Sequence, residues 1–321
     1  MATSRDPATS KHNKTESTIR KMSKTILVTG ATGKQGGAAI DALLASPSAK
    51  DITIIALTRT PESPAAQKLQ QKSDKIKLIK GDNSDFAAVF AAVDAPITGV
   101  FCVTMPNLHL GGGGTSEEQQ GMDLIDQALK HNVEHFVFTS VDRHGKDSDN
   151  DPTDVPHFIS KAKVEDYLKE KCEGSNMSWT ILRPVAFMEN FTAGIGGKIF
   201  PTAWCASLSP TTKLQLVATA DIGYFAAQAF LHPQEYKSRA ISIAGDELTF
   251  GEANEIFQSR LGKDIPRTFG FVGSALLWAI KDVGLMFQWF EKRGYAADIE
   301  GLRKEHPGLQ SFGDWLKTSG L

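Results

Sequence analysis

The glycines at 30, 33 and 36 are the residues whose type and spacing speak most directly of chemistry. They close the run Thr25-Ile-Leu-Val-Thr-Gly30-Ala-Thr-Gly33-Lys-Gln-Gly36-Gly37, an apolar β-branched stretch that passes through a GxxGxxG turn into a helix-period segment. There the first glycine permits a tight turn, the second lets backbone N–H groups approach a pyrophosphate, and the third lets helix and strand pack closely, while the helix N-terminus adds partial positive charge. The chemistry implied is the holding of a dinucleotide. Arg59, in Thr58-Arg59-Thr60, closes the second apolar run, where an acid would take ribose hydroxyls and a cation a 2′-phosphate. No Asp or Glu adjoins it in sequence, so the pattern favours NADP(H) over a solvated loop arginine. Gly81-Asp82-Asn83 then places a carboxylate and an amide near the adenine, or marks a turn. After the fourth run, Thr104-Met105-Pro106 and the glycines 111–114 make a loop at the carboxyl edge, where ligands bind in open α/β sheets.

The elements that must position these residues alternate along the chain. Strands are predicted at 25–29, 52–58, 76–79, 100–104, 135–139 and 179–182, with helices at 35–45, 63–71, 86–93, 115–131 and 158–171, the fourth opened by a capping box from Thr115 to Glu118. Strand–helix alternation with right-handed crossovers gives a Rossmann-type α/β fold, a doubly wound parallel sheet. After Pro184 the rhythm breaks: short strands at 214–217 and 240–243 mix with helices at 222–231, capped by Asp221, and at 252–261 and 272–290. The expected organisation is a disordered tail (1–22), an NADP-binding domain (23–184) whose sheet is completed by later strands, and a smaller C-terminal α+β lobe for substrate or partner (185–321). That lobe carries Trp204, Trp278, Trp289 and Trp315, and its segment 269–290 is apolar on nearly every helical face. Such a helix must be buried, as core or homodimer packing or as an apolar wall over a ligand pocket.

Composition narrows the classes. Thirty-five Lys+Arg against 37 Asp+Glu leave a net charge of −2, so nothing argues for direct nucleic-acid binding. Cys102, Cys172 and Cys205 are odd in number and too far apart for a CxxC pair, which argues against a metal site or a disulfide framework and for a reducing compartment, the cytoplasm and also the nucleus. The longest uncharged apolar stretch, 268–280, falls short of the roughly 20 residues a bilayer needs, so no membrane association is expected.

VTGATGKQGG, the arginine after the second strand, GDNSD, RPVAFMENF and TADIGYFAAQAF together resemble the NmrA-like family of atypical short-chain dehydrogenase/reductases, over roughly residues 24–318. The resemblance implies a Rossmann domain with a small C-terminal lobe and NADP(H) binding. It implies cofactor contacts from Gly30, Thr32, Gly33, Lys34, Gln35, Gly36, Arg59, Asp82, Asn83, Thr104, Met105, Pro106, Lys161, Phe187, Met188, Glu189 and Asn190. Members of the family divide between reductases and redox-sensing regulators that bind partner proteins, so a small-molecule substrate and a regulatory protein partner are both expected classes.

Typical short-chain dehydrogenases pair Tyr and Lys four residues apart on a helix. Here the matching positions are His157 and Lys161, with Ser140 ending the fifth strand. An imidazole is a competent acid near neutral pH, and a lysine beside the ribose can position a nicotinamide and polarise a carbonyl, so His157 and Lys161 are the catalytic candidates. The alternative for Lys161 is an exposed helix lysine paired to Glu165 at i+4. A second YxxxK match, Tyr167 with Lys171, lies ten residues on, about 15 Å along the helix. The sequence leans to an NADPH-dependent oxidoreductase of a small apolar substrate, with a non-catalytic NADPH/NADP+ redox sensor as its alternative.

Overall fold

The computed structural model describes residues 24–105, 115–192, 194, 196–268 and 281–321. The expected tail, Pro106, the glycines 111–114 and residues 269–280, with Trp278, lie outside the described residues. Six strands follow the sequence reading within two residues: β1 (Lys24–Val28), β2 (Ile52–Thr58), β3 (Ile76–Lys80), β4 (Gly99–Cys102), β5 (His135–Thr139) and β6 (Ser178–Pro184). Beyond them come β7 (Ala186–Phe187), β8 (Leu214–Val217), β9 (Arg239–Ile243) and β10 (Asp246–Leu248). The main sheet runs β3-β2-β1-β4-β5-β6-β9, every pair parallel, so a strand from beyond Pro184 completes it. β8 pairs with β7 in parallel and with β10 antiparallel in a separate small sheet.

The helices are α1 (Lys34–Ala45), α2 (Pro64–Gln70), α3 (Phe86–Ala91), α4 (Glu117–Lys130), α5 (Pro156–Cys172), α6 (Gly196–Ser207), α7 (Thr219–Leu231), α8 (Pro233–Tyr236), α9 (Phe250–Leu261), α10 (Lys281–Lys292), α11 (Ile299–Glu305) and α12 (Phe312–Leu316). A parallel sheet must be covered on both faces, which is why its strands are near-continuous apolar runs. Successive residues of β1 divide accordingly. Ile26 and Val28 join Ile40 and Leu43 of α1 and Ile222 and Phe225 of α7. Leu27 joins Leu124 and Ile125 of α4 and Val164 and Leu168 of α5. Each such buried side chain contributes about 1.5–3 kcal/mol before the entropy of ordering it.

Two expected helix starts are corrected. Ser116, not Thr115, caps α4, its Oγ accepting the Gln119 N–H at 3.1 Å, and Glu118 pairs instead with Lys163 of α5. Asp221 does not cap α7, which begins two residues earlier. Its buried carboxylate accepts from His306 Nε2 and the Gln310 N–H, both at 3.1 Å, because a buried charge takes the strongest donors within reach. The open Thr219 N–H of α7 goes to Glu189 Oε1 at 2.9 Å.

Helices α4 and α5 cross in close contact. A Cβ on Gly121 of α4 would stand 2.6 Å from Val164 Cγ1 of α5, so only glycine lets these helices meet this closely. One turn back along α4 is Glu117.

Candidate functional site

The glycine turn is built as its spacing requires. Gly30 has φ +58°, in the left-handed region, and its carbonyl accepts the Gly33 N–H at 2.8 Å. A Cβ on Gly36 would lie 2.3 Å from the Gly30 oxygen, so helix and turn could not pack with any other residue there. Gly33 is the N-cap of α1, with no side chain capping it and no acid in the first turn. The N-terminal amides and the positive end of the helix dipole are thereby left for an anion.

Around this cradle the fold collects side chains from distant segments. Lys34 Nζ donates to the Glu189 carbonyl at 2.7 Å and lies 3.5 Å from Asn190 Oδ1. Partial burial lowers the Lys34 pKa, and the Glu189 charge opposes that shift. Gln35 Oε1 accepts the Thr139 hydroxyl at 2.5 Å. Arg59 is exposed beyond β2. The fold does bring an acid into range of it: Asp82, beyond β3, has its carboxyl held low by the Ser84 hydroxyl and N–H and, in smaller part, by the Arg59 charge. Asp82 Oδ1 is engaged in that turn, accepting the Ser84 N–H at 2.8 Å.

At the carboxyl edge beside β4 and β5 lies a buried charged cluster. Lys161, 5% exposed, donates to Thr104 Oγ1 at 2.7 Å, to the Thr139 carbonyl at 3.0 Å and to Glu117 Oε1 at 3.1 Å. Thr104 donates its own hydroxyl hydrogen bond to Glu117 Oε1 at 2.8 Å. The other oxygen, Oε2, accepts from His157 Nδ1 at 2.7 Å. Burial alone would push the Glu117 carboxyl up, but Lys161, His157 and Thr104 together hold it down at about 2. The Glu117 side chain is 7% exposed and that of His157 33%, so the cluster runs from the interior to the surface.

The structure thus joins Thr104, His157 and Lys161, and sets Lys34, Gln35, Glu189 and Asn190 around the glycine turn. Other candidates are placed differently. The side chain of Met188 is wholly buried in the apolar core, and Phe187 is half-buried against it. Glu189 Oε1 is occupied by Thr219 and by Trp315 Nε1 at 3.2 Å. Asn83 Nδ2 donates to Gln120 Oε1 at 3.0 Å. Met105 is exposed, and its N–H donates to the same oxygen at 3.1 Å. Ser140 hydrogen-bonds to Glu165, away from the Lys161 cluster. Glu165 is not the partner of Lys161: it is enclosed by Arg143 and Arg183, whose guanidinium forks match a carboxylate better than an ammonium does. In the second YxxxK match, Tyr167 donates to Asp126 at 2.8 Å, and burial with that hydrogen bond pushes its phenol up to about 12, the wrong direction for a catalytic acid.

Sequence reasoning missed Glu117 and Gln120. An acid in the first turn of a helix ordinarily complements the dipole, and nothing local announces a lysine 44 residues away. Gln120 holds both flanks of residues 106–114, its Nε2 donating to the carbonyls of Met105 and Thr115, each at 3.1 Å. A separate cleft of about 780 Å³ lies at the opposite, amino edge of the sheet, lined in part by Thr25, Thr53, Lys77 and Pro96, and holds none of these groups. Among the described residues no His, Cys, Asp and Glu come together as a metal site, and no helix is long and apolar enough to cross a membrane.

Comparison with known proteins agrees with the fold. The sequence model of the NmrA-like family matches residues 22–307. An NmrA-like family domain-containing oxidoreductase of Aspergillus hancockii is 27% identical over 252 residues, 74% of this chain and 72% of that one. An NmrA-like family domain-containing protein of Dictyostelium discoideum is 26% identical over 310 residues, covering 92% and 98%. Among solved structures, the Citrobacter triphenylmethane reductase complexed with NADP(H) superposes with a TM-score of 0.68 at 18% identity, covering 92% of this chain and 99% of that one. NmrA, a negative transcriptional regulator, does so with a TM-score of 0.68 at 18% identity, covering 92% and 95%.

Proposed function

This chain belongs to the NmrA-like family, and on that premise we propose that it is an NADP(H)-dependent oxidoreductase acting on a small, largely apolar substrate. The observation that carries the reading is the buried Lys161–Glu117–His157 cluster at the carboxyl edge of a sheet whose first turn is built for a pyrophosphate. The residues fit the cofactor: a cradle that a Cβ on Gly36 would fill, an uncapped helix N-terminus, and an exposed guanidinium beyond β2. Arg59 would hold the 2′-phosphate, and the first amides of α1 the pyrophosphate. When bound, a reduced nicotinamide supplies a hydride. His157 offers a proton at the surface end of the cluster, and Lys161 keeps the Glu117 carboxylate charged. Relatives named as oxidoreductases and a structural neighbour that binds NADP(H) support the reading.

The test is a titration of the purified protein with NADPH, NADP+ and NADH by fluorescence and calorimetry, followed by NADPH oxidation against quinones, ketones and enones. Tight, NADPH-selective binding with turnover is expected; NADPH binding no tighter than NADH binding would remove Arg59 from its role.

One observation favours a second reading, a non-catalytic NADPH/NADP+ sensor acting on a partner protein. The three ammonium protons of Lys161 meet three acceptors of the protein itself, so the lysine is not free for the role it has beside a tyrosine. A sensor requires different partner affinity in the two cofactor states. Capture of a partner that changes with the NADPH/NADP+ ratio, without turnover, is the result that would select it.

A further inference from the structure

We propose that Glu117 is the positioning residue of a proton-delivering pair with His157, in which the proton leaves from His157 Nε2 and Lys161 serves as the charge partner of Glu117 rather than as the acid. Its reaction rests on the oxidoreductase reading above; its geometry does not.

The assignment follows from counting protons. An ammonium has three N–H donors, and those of Lys161 meet Thr104 Oγ1, the Thr139 carbonyl and Glu117 Oε1 at 2.7, 3.0 and 3.1 Å. The Thr104 hydroxyl accepts from Lys161, so its own proton goes to Glu117. Glu117 therefore receives three donors, two on Oε1 and one on Oε2, and stays ionised. Every proton of the pair is thus engaged within the protein.

His157 differs. Its Nδ1 is committed to Glu117 Oε2 at 2.7 Å, so the neutral ring carries its proton on Nδ1 and leaves Nε2 bare. The charged ring places its transferable proton on Nε2, which has no hydrogen-bond partner among the described residues, on a side chain one-third exposed. A carboxylate that fixes the tautomer makes the far nitrogen the working atom. In the balanced step, a substrate carbonyl carbon would accept hydride from a bound reduced nicotinamide, the π pair left on the carbonyl oxygen would take the proton from Nε2, and the neutral ring would recover a proton (H+) from solvent. The close meeting of α4 and α5 at Gly121 and Val164 keeps Glu117 against His157.

The test begins without cofactor. Long-range 1H–15N correlation of the His157 ring in the full-length, 15N-labelled protein should show the Nδ1–H tautomer when the ring is neutral. Glu117→Ala should revert it to the Nε2–H form that prevails in solution. An Nε2–H ring in wild type, or no change in Glu117→Ala, overturns the proposal; if the variant does not fold, the wild-type spectrum decides alone. The second arm uses the panel substrate with the highest NADPH turnover. His157→Ala should lose about 100-fold in kcat with its NADPH KM within about threefold, and regain activity with added imidazole. Undiminished kcat in His157→Ala overturns the proton assignment. Absence of wild-type turnover across the panel overturns the oxidoreductase reading instead, and the ring spectrum still judges the positioning of His157.

Discussion

Two buried carboxylates, Glu165 on α5 and Glu117 on α4, have contrasting sets of donors. Glu165, 1% exposed, is closed in by Arg143 and Arg183, with Nη1 of Arg143 3.0 Å from Oε1 and Nη2 of Arg183 2.5 Å from Oε2. Its donors from Arg143, Arg183 and Ser140 are themselves buried, and the cluster joins β6, α5 and the loop after β5, meeting solvent through the half-exposed Asp149 on Arg183. Glu117 has the same charge and nearly the same burial, but one of its donors is an imidazole at the surface end whose second nitrogen has no hydrogen-bond partner among the described residues. Under the proposed function, what separates a structural acid from a functional one is whether the donor set includes a group that can change its protonation. Guanidinium cannot; imidazole can.

The largest expected effect tests the closed cluster. Arg183→Met leaves Glu165 short of a buried partner and should cost about 3–5 kcal/mol in urea unfolding, without a specific effect on cofactor affinity in the folded fraction. Loss of less than about 1 kcal/mol would mean the cluster is not the structural one.

Acid should discriminate next. Glu117 is held at about 2 and Glu165 below the usual carboxylate range, so the stability each contributes is present above about pH 4.5 and lost only as pH falls below it. His135, between Ser178 and Thr180, is pushed down to about 4 by burial, with the Lys24 charge adding to the shift. Between pH 6.5 and 4 the unfolded chain binds a proton that the folded one refuses. Stability should therefore fall with pH across that window by at most about 3 kcal/mol. Urea midpoints flat from pH 7 to 4.5 would show that His135 is not the first acid-sensitive group.

A smaller change should separate the clusters physically. Gly121→Ala sets a methyl 2.6 Å from Val164 Cγ1 and should cost about 1–3 kcal/mol. It should also loosen Glu117 from His157, read as a shift of the His157 ring resonances with those of Arg143 and Arg183 unmoved. The mildest test lies outside both: Arg59→Ala should weaken NADPH binding about 10- to 100-fold and leave NADH binding nearly unchanged.

The contrast also shows what was legible in the chain. The first six strands and the glycine turn could be read because a buried strand and a tight turn are written in adjacent residues. The His157–Lys161 pair could be read because i and i+4 share a helix face. The acids could not. Lys161 and Glu165 have the spacing of a helical ion pair, yet each found a better partner on another element. Asp221 has the look of a cap, yet its carboxylate is drawn to His306 and Gln310, 85 and 89 residues along the chain. Local rules assign a charge to its sequence neighbours, and burial reassigns it to whichever donors the fold encloses with it.

The most direct measurement is NADPH consumption by wild type and by His157→Gln, side by side, across quinones, ketones and enones, with NADPH affinity measured for both. The expected result is equal affinity, turnover by wild type, and a loss of about 100-fold in the variant. Tight NADPH binding by both with no turnover by either, or equal turnover by both, would contradict the assignment of His157 as the acid of a reductase.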